Sequence, residues 1–213
     1  YQLRTQVAWI FNDLGLLQSN AGRYNDANQS YRASAKEWKA IGKGDLAGQQ
    51  FVKAGFALSA AGQMSEAETV ITNGLETARS YAFSSKSYAP YARLLLDVAE
   101  FYINKSMLDN AAKYLTDALS NAELAKDLLL QSVVLKSQAA VLKGQGNVEK
   151  SRECSSKRED LLNKLIKDGA SAKERLLDAS LPASELAGVI QAAEYGAEAC
   201  GELAKYEQGI EVL

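Results

Sequence analysis

Residues 20–35 read NAGRYNDANQSYRASA, and residues 60–75 read AAGQMSEAETVITNGL. Each places a glycine third (Gly22, Gly62), an alanine five residues later (Ala27, Ala67) and a large residue four beyond that (Tyr31, Ile71). The frame returns as Ser106, Ala111 and Leu115, and again as Gly146, Ser151 and Ser155. Positions 27, 67, 111 and 151 are separated by 40, 44 and 40 residues. Twelve residues before each stands a small side chain: Gly15, Gly55, Ala99 and Ala139. Self-similarity at a fixed period of this length is the mark of a repeat architecture.

Each unit reads as two helices. A glycine at the 22-type position can take the left-handed conformation that closes the first helix. The second helix starts at once, with an acid in its first turn in every unit: Asp26, Glu66, Asp109 and Glu149. Negative charge there complements the helix dipole. Small residues such as Gly15 and Ala27 let the paired helices approach, and Phe11, Leu14, Tyr24 and Tyr31 are expected to fill the space around them. One hairpin cannot bury its apolar face alone, whereas stacked copies can. The expectation is an all-α fold, an α-solenoid of antiparallel helix hairpins.

The pattern resembles the tetratricopeptide repeat (TPR) superfamily, which runs aromatic, Leu-Gly, Tyr, Gly, Ala, aromatic, Ala. The first unit supplies Phe11, Leu14-Gly15, Gly22, Tyr24, Ala27 and Tyr31; the second Phe51, Ala54-Gly55, Leu58, Gly62, Ala67, Ile71 and Gly74; the third Leu95, Val98-Ala99, Tyr102, Ala111, Leu115 and Ala118. In the fourth, Leu135, Ala139, Leu142 and Gly146 fit, while Ser151, Ser155 and Arg158 do not. The period of 40 to 44 exceeds the usual ~34, and the family's inter-unit proline is absent. Longer-period variants occur among regulatory scaffolds and peptide-sensing proteins. HEAT repeats share a period near 40 and rank second, because the glycine–alanine register fits less well.

Helices are expected at about 2–21, 24–41, 46–61, 64–82, 89–105, 108–125, 128–144 and 147–168. GKGD at 42–45 is a break, and FSSKSYAP at 83–90 is expected to be the longest loop, holding the four extra residues of the 44-residue spacing. Its neighbours Tyr81, Tyr88 and Tyr91 read as edge cover for a spacer, with a recognition loop as the other reading. A short helical piece is expected at 172–179 before Pro182. Residues 183–203 and 205–213 then form the two helices of a degenerate or capping unit, with Gly196 and Tyr206 near the required positions. One domain, 1–213, is expected, in units of about 8–45, 46–87, 88–127, 128–170 and 171–213, as part of a larger protein.

Chemistry is scarce in the composition. The 213 residues contain no histidine, the commonest general base and metal ligand. Cys154 and Cys200 cannot by themselves build a zinc site, and they suggest a reducing compartment with two small semi-buried side chains. No glycine-rich phosphate loop is present. Acids such as those in SKREDLLNKLIKD (156–168) lie among Lys and Arg on one helix, a solvated face. With 24 basic and 26 acidic residues the net charge is −2, which is not the basic stripe of a nucleic-acid binder. No apolar run reaches the ~18 residues that span a bilayer. The expectation is a cytoplasmic, non-enzymatic protein with no metal, no cofactor, no nucleic-acid partner and no membrane insertion.

In the TPR family the first helix of each hairpin lines the concave side. The resemblance places Trp9, Asn12 and Leu16, then Gln49, Val52 and Phe56, then Arg93, Leu96 and Glu100, and finally Lys136, along that groove. An apolar chain Leu16–Val52–Phe56–Leu96 would cross its middle, either open to a partner or covered by other helices. Co-chaperones of the family capture a C-terminal carboxylate with a set of Lys, Asn and Arg. The positions here are Asn12, Leu16, Lys53, Arg93 and Asp97, of which only Arg93 fits, so that mode is not expected. The implied function is a protein-interaction scaffold holding a protein or peptide segment, in company with other subunits. The alternative is a peptide-sensing regulator of an effector domain.

Overall fold

The computed structural model describes residues 1–176 and 183–210. Among these the chain is all-helical, with no strand. It comprises α1 (Gln2–Asn20), α2 (Tyr24–Ala40), α3 (Gly44–Ala60), α4 (Met64–Ser85), α5 (Tyr88–Asn104), α6 (Leu108–Leu124), α7 (Leu128–Gly144), α8 (Val148–Leu176) and α9 (Ala183–Ile210). The chain divides into two compact units, Tyr1–Asn121 and Ala122–Leu213.

One local device makes every turn from α1 to α8. After each helix comes one residue of positive φ: Gly22, Gly42, Gly62, Lys86, Ser106, Lys126 and Gly146. At the first, the Gly22 N–H donates to the Ser19 carbonyl and the Arg23 N–H to the Gln18 carbonyl. That pair of bonds is a Schellman motif, which satisfies carbonyls left over at a helix end. The Arg23 carbonyl then accepts from the Ala27 N–H and opens α2. A single residue thus ends one helix and starts the next, so the connection needs only three residues and turns the chain back on itself. Positions 22, 42 and 62 are 20 apart, as are 86, 106, 126 and 146, and only 62 to 86 is 24. The repeat of local geometry is therefore one helix and one turn, within hairpins and between them alike.

The four extra residues of the third interval are not a loop. Helix α4 is 22 residues long where α2, α3, α5, α6 and α7 have 17. Residues 83–85 continue it for about one further turn, and only Lys86 and Ser87 link it to α5. Nothing in FSSK breaks a helix until Lys86 turns left-handed, and Pro90 lies in the first turn of α5, where no intrahelical N–H is needed. The expected tyrosine cluster is absorbed by packing: Tyr91 is buried and Tyr88 meets Phe83 edge-on at 5.4 Å.

In the first unit consecutive helices pack, α1 on α2, α2 on α3, α3 on α4 and α4 on α5. A Cβ at Gly15 would lie 2.8 Å from the Tyr31 ring, so the small residue is what seats the large one. Between α1 and α2 the buried Ser34 hydroxyl donates to the Ala8 carbonyl at 2.7 Å. Leu58, Ile71, Leu95 and Leu115 are almost fully buried, each contributing about 1.5–3 kcal/mol by removal from water.

In the second unit α7 packs on α8 and α8 on α9. Helix α8 runs on past residue 168 to Leu176, and α9 is one continuous helix through residue 204, where a break between two helices was expected. Glycine at 201 and 209 weakens a helix without ending it, since no left-handed closing residue falls there. The expected residues 177–182, with Pro182, and 211–213 lie outside the described residues.

Candidate functional site

Helices α3 and α5 lie side by side, both packed against α4. Between them lies a cleft of about 530 Å³. Val52, Lys53 and Phe56 line it from α3, and Asp97, Glu100 and Phe101 from α5. The half-buried rings of Phe56 and Phe101 stack with centroids 4.6 Å apart and planes 15° from parallel. The Lys105 ammonium stands 5.8 Å from the Phe101 ring centre, a cation–π distance. A smaller cleft of about 270 Å³ continues toward the helix starts, among Asp45, Gln49, Pro90, Arg93 and Asp97.

The charged groups are held in place. Lys53 donates to Asn12 Oδ1 at 3.0 Å, and Asn12 Nδ2 donates to Asp13 Oδ1 at 2.9 Å. The same ammonium lies 6.0 Å from the Tyr31 ring centre. Burial lowers the Lys53 pKa, and the charges of Asp97 and Asp13 pull it back up. Loss of water raises the Asp97 pKa, the neighbouring Glu100 raises it further, and Lys53 opposes both. The arrangement offers an aromatic platform between positive and negative rims.

Four of the sequence-derived residues, Gln49, Val52, Phe56 and Glu100, line the main cleft. Arg93 lines the smaller one. Asn12 is buried and reaches the site only through Lys53. Trp9 lies edge-on against Trp38 at 5.3 Å and lines neither cleft. Leu16 is exposed on α1, also outside both. Leu96 does not join an exposed stripe: it is 8% exposed and belongs to the core. With Val52 buried as the cleft floor, the expected apolar chain Leu16–Val52–Phe56–Leu96 is not a continuous surface. Lys136 belongs to the second unit, where it pairs with Glu202 at 3.3 Å.

Lys53, Asp97, Phe101 and Lys105 were missed as cleft residues. A cleft between neighbouring helices is bounded by one flank of the first and the opposite flank of the second. Translating 49, 52 and 56 by 44 residues gives 93, 96 and 100, the same flank on both. On α5 the flank that faces α3 is shifted by about one residue: 94, 97 and 101 join Glu100 along the cleft, and Leu96 turns into the core. No spacing counted along one helix carries that rotation, which is set by how the two helices pack against each other.

Another depression, about 730 Å³ on the α2 and α4 side, mixes polar groups such as Arg32, Asn73, Glu76 and Thr77 with Phe51 and Val70. Cys154 is half-buried, and burial raises its thiol pKa; Cys200 is exposed. No helix among the described residues is long and apolar enough to cross a membrane.

The chain matches no protein-family profile and no curated protein. Among solved structures it resembles BtubC (BKLC) from P. vanneervenii, with a TM-score of 0.57 and 18% sequence identity. The match covers 74% of this chain and 64% of that one. At that identity the likeness concerns the helical fold alone.

Proposed function

We propose that this chain is a TPR-type α-solenoid protein that acts as a non-catalytic interaction scaffold, holding a partner segment in the cleft between α3 and α5. The observation that carries the reading is the Phe56–Phe101 stack, half-exposed above the buried Val52 and bordered by Lys53, Asp97, Glu100 and Lys105. An aromatic anchor ringed by polar groups is what peptide grooves and interface hot spots use. The rings are pre-stacked and the rim charges already oriented, so little side-chain ordering opposes binding. An amphipathic helix or an extended segment would set an apolar side chain on the rings and polar groups on the rim.

The experiment is selection of peptides on the intact chain, followed by titration of labelled peptides against wild type and variants. Phe56→Asp is expected to weaken binding at least ~10-fold, about 1.4 kcal/mol, with the helical circular dichroism unchanged. Lys105→Glu, at the exposed rim, is expected to change affinity less and in a salt-dependent way. Selected peptides that bind Phe56→Asp as well as wild type would sink the assignment of this cleft.

A further inference from the structure

The main cleft between α3 and α5 runs into the smaller one, and the two share Gln49, Leu94 and Asp97 as walls. Their charged groups are not equally engaged. Each cation has company: Lys53 donates to Asn12 Oδ1 at 3.0 Å, the Lys105 ammonium stands by the Phe101 ring, and Arg93 is engaged as well. The carboxylates differ. Among the described residues no hydrogen bond or ion pair holds the side chain of Asp45, Asp97 or Glu100.

Asp45 is the sharper case. Its Oδ1 is buried in the wall of the smaller cleft and accepts nothing. The residue lies in the first turn of α3, where the helix dipole favours its charge. A dipole keeps the carboxylate ionised but supplies no donor, and a buried acceptor without a donor is costly. Asp97 stands where the two clefts meet. Loss of water and the neighbouring Glu100 both disfavour its charge, and Lys53 offsets only part of that. A cation brought in from outside would give Asp45 its donor and ease the crowding of acids around Asp97.

We propose that the partner segment is basic beside its apolar anchor: an arginine or lysine enters the smaller cleft between Asp45 and Asp97 while an apolar side chain rests on the Phe56–Phe101 stack. This rests on the scaffold reading and adds the chemistry of the partner to it. Asp97 and Phe101 are four residues apart on α5, one turn or about 6 Å along its axis. The matching spacing in the partner is two residues in an extended segment, at about 3.3 Å each, or four in a helix. Arginine suits the place better than lysine, because its planar fork offers five donors to the two carboxylates. An acidic segment would bring like charge to Asp45, Asp97 and Glu100.

Selection on the intact chain from a library of acetylated, amidated peptides, with one leucine fixed and every other position open, tests it. Wild type is expected to enrich Arg or Lys two or four residues from the leucine. Replacing that basic residue by glutamine is expected to weaken binding at least ~10-fold to wild type, but under ~3-fold to an Asp45→Asn, Asp97→Asn double variant of unchanged circular dichroism. Asp97→Lys is expected to turn the enrichment toward Asp and Glu. Acidic or neutral peptides that wild type selects and that still require Phe56 overturn the cation site and leave the scaffold reading standing. Basic peptides that bind the double variant as tightly as wild type overturn it too. A selection with no Phe56-dependent peptide overturns the scaffold assignment of the cleft, and this inference with it.

Discussion

The α3–α4 and α8–α9 helix pairs both close on glycine, yet by different chemistry. In the first, a Cβ on Gly48 would sit 2.5 Å from the Gly74 carbonyl oxygen and 2.6 Å from Ala78 Cβ. Gly74 in turn faces the Gly48 carbonyl, so the two helices touch backbone to backbone, and the surrounding core is apolar: Ala54, Ala57, Leu58, Ala67 and Val70. In the second, Gly169 and Gly196 meet, with a Cβ on either 2.6 Å from the other's Cα. Leu162, Leu165 and Ala199 form the local core. Beside it the buried Arg158 pairs with Glu202 at 2.9 Å, and Lys136 reaches the same carboxylate. Small residues set helix separation in both. One helix pair gains specificity from shape, the other from a charge pair that must be complete.

The largest effect is expected where no flexible group can yield. Gly48→Val drives a branched side chain into a backbone carbonyl and should cost about 3 kcal/mol or more, beyond ordinary overpacking. Gly169→Val should also be severe, and it is expected to leave the first unit's melting unchanged if the two helix pairs are independent in stability. Urea unfolding followed by circular dichroism measures both, and a Gly48→Val protein of wild-type midpoint would show that the backbone contact is not a constraint.

Breaking the charge pair comes next. Arg158→Ala leaves Glu202 without its buried partner and should cost about 2–3 kcal/mol, at the low end for buried pairs because Lys136 remains. Lys136→Ala removes an exposed contact and should cost under about 0.5 kcal/mol. Equal losses from the two variants would erase the distinction drawn between buried and exposed halves of this triad.

The smallest effect has the opposite sign. Ser106 and Lys126 hold φ values of 60° and 56°, as Lys86 holds 54°, where the other four turns use glycine. Ser106→Gly and Lys126→Gly should each stabilise by up to about 1 kcal/mol, by relieving the strain of a left-handed non-glycine residue. A drop in the melting midpoint of either would mean that the lost side chain matters more than the backbone.

The glycine–alanine register made the first three hairpins legible, with helix ends close to the expected ones. It failed at the fourth for a physical reason. Ser151 stands where alanine was expected, is buried, and donates to the Ala139 carbonyl at 2.8 Å. Ser155 donates to the Ser151 carbonyl at 3.0 Å, and Arg158 joins the ion pair. Each misfit is satisfied by a polar partner, and the identity of such a partner is a long-range fact that spacing does not carry. The expected loop at 83–90 failed because a serine-rich stretch bounded by a proline reads as a break, whereas Pro90 is harmless in a first turn.

The sequence by itself determined most of the helices through α8 and most of the short turns between them. These follow from left-handed closing residues and a small-to-large rhythm, which act over one or two turns of chain. Only the tertiary structure decided which flank of α5 faces α3, and that Leu96 is core while Phe101 is platform. Those outcomes depend on the rotation of one helix against another, which side chains distant in sequence settle by packing together.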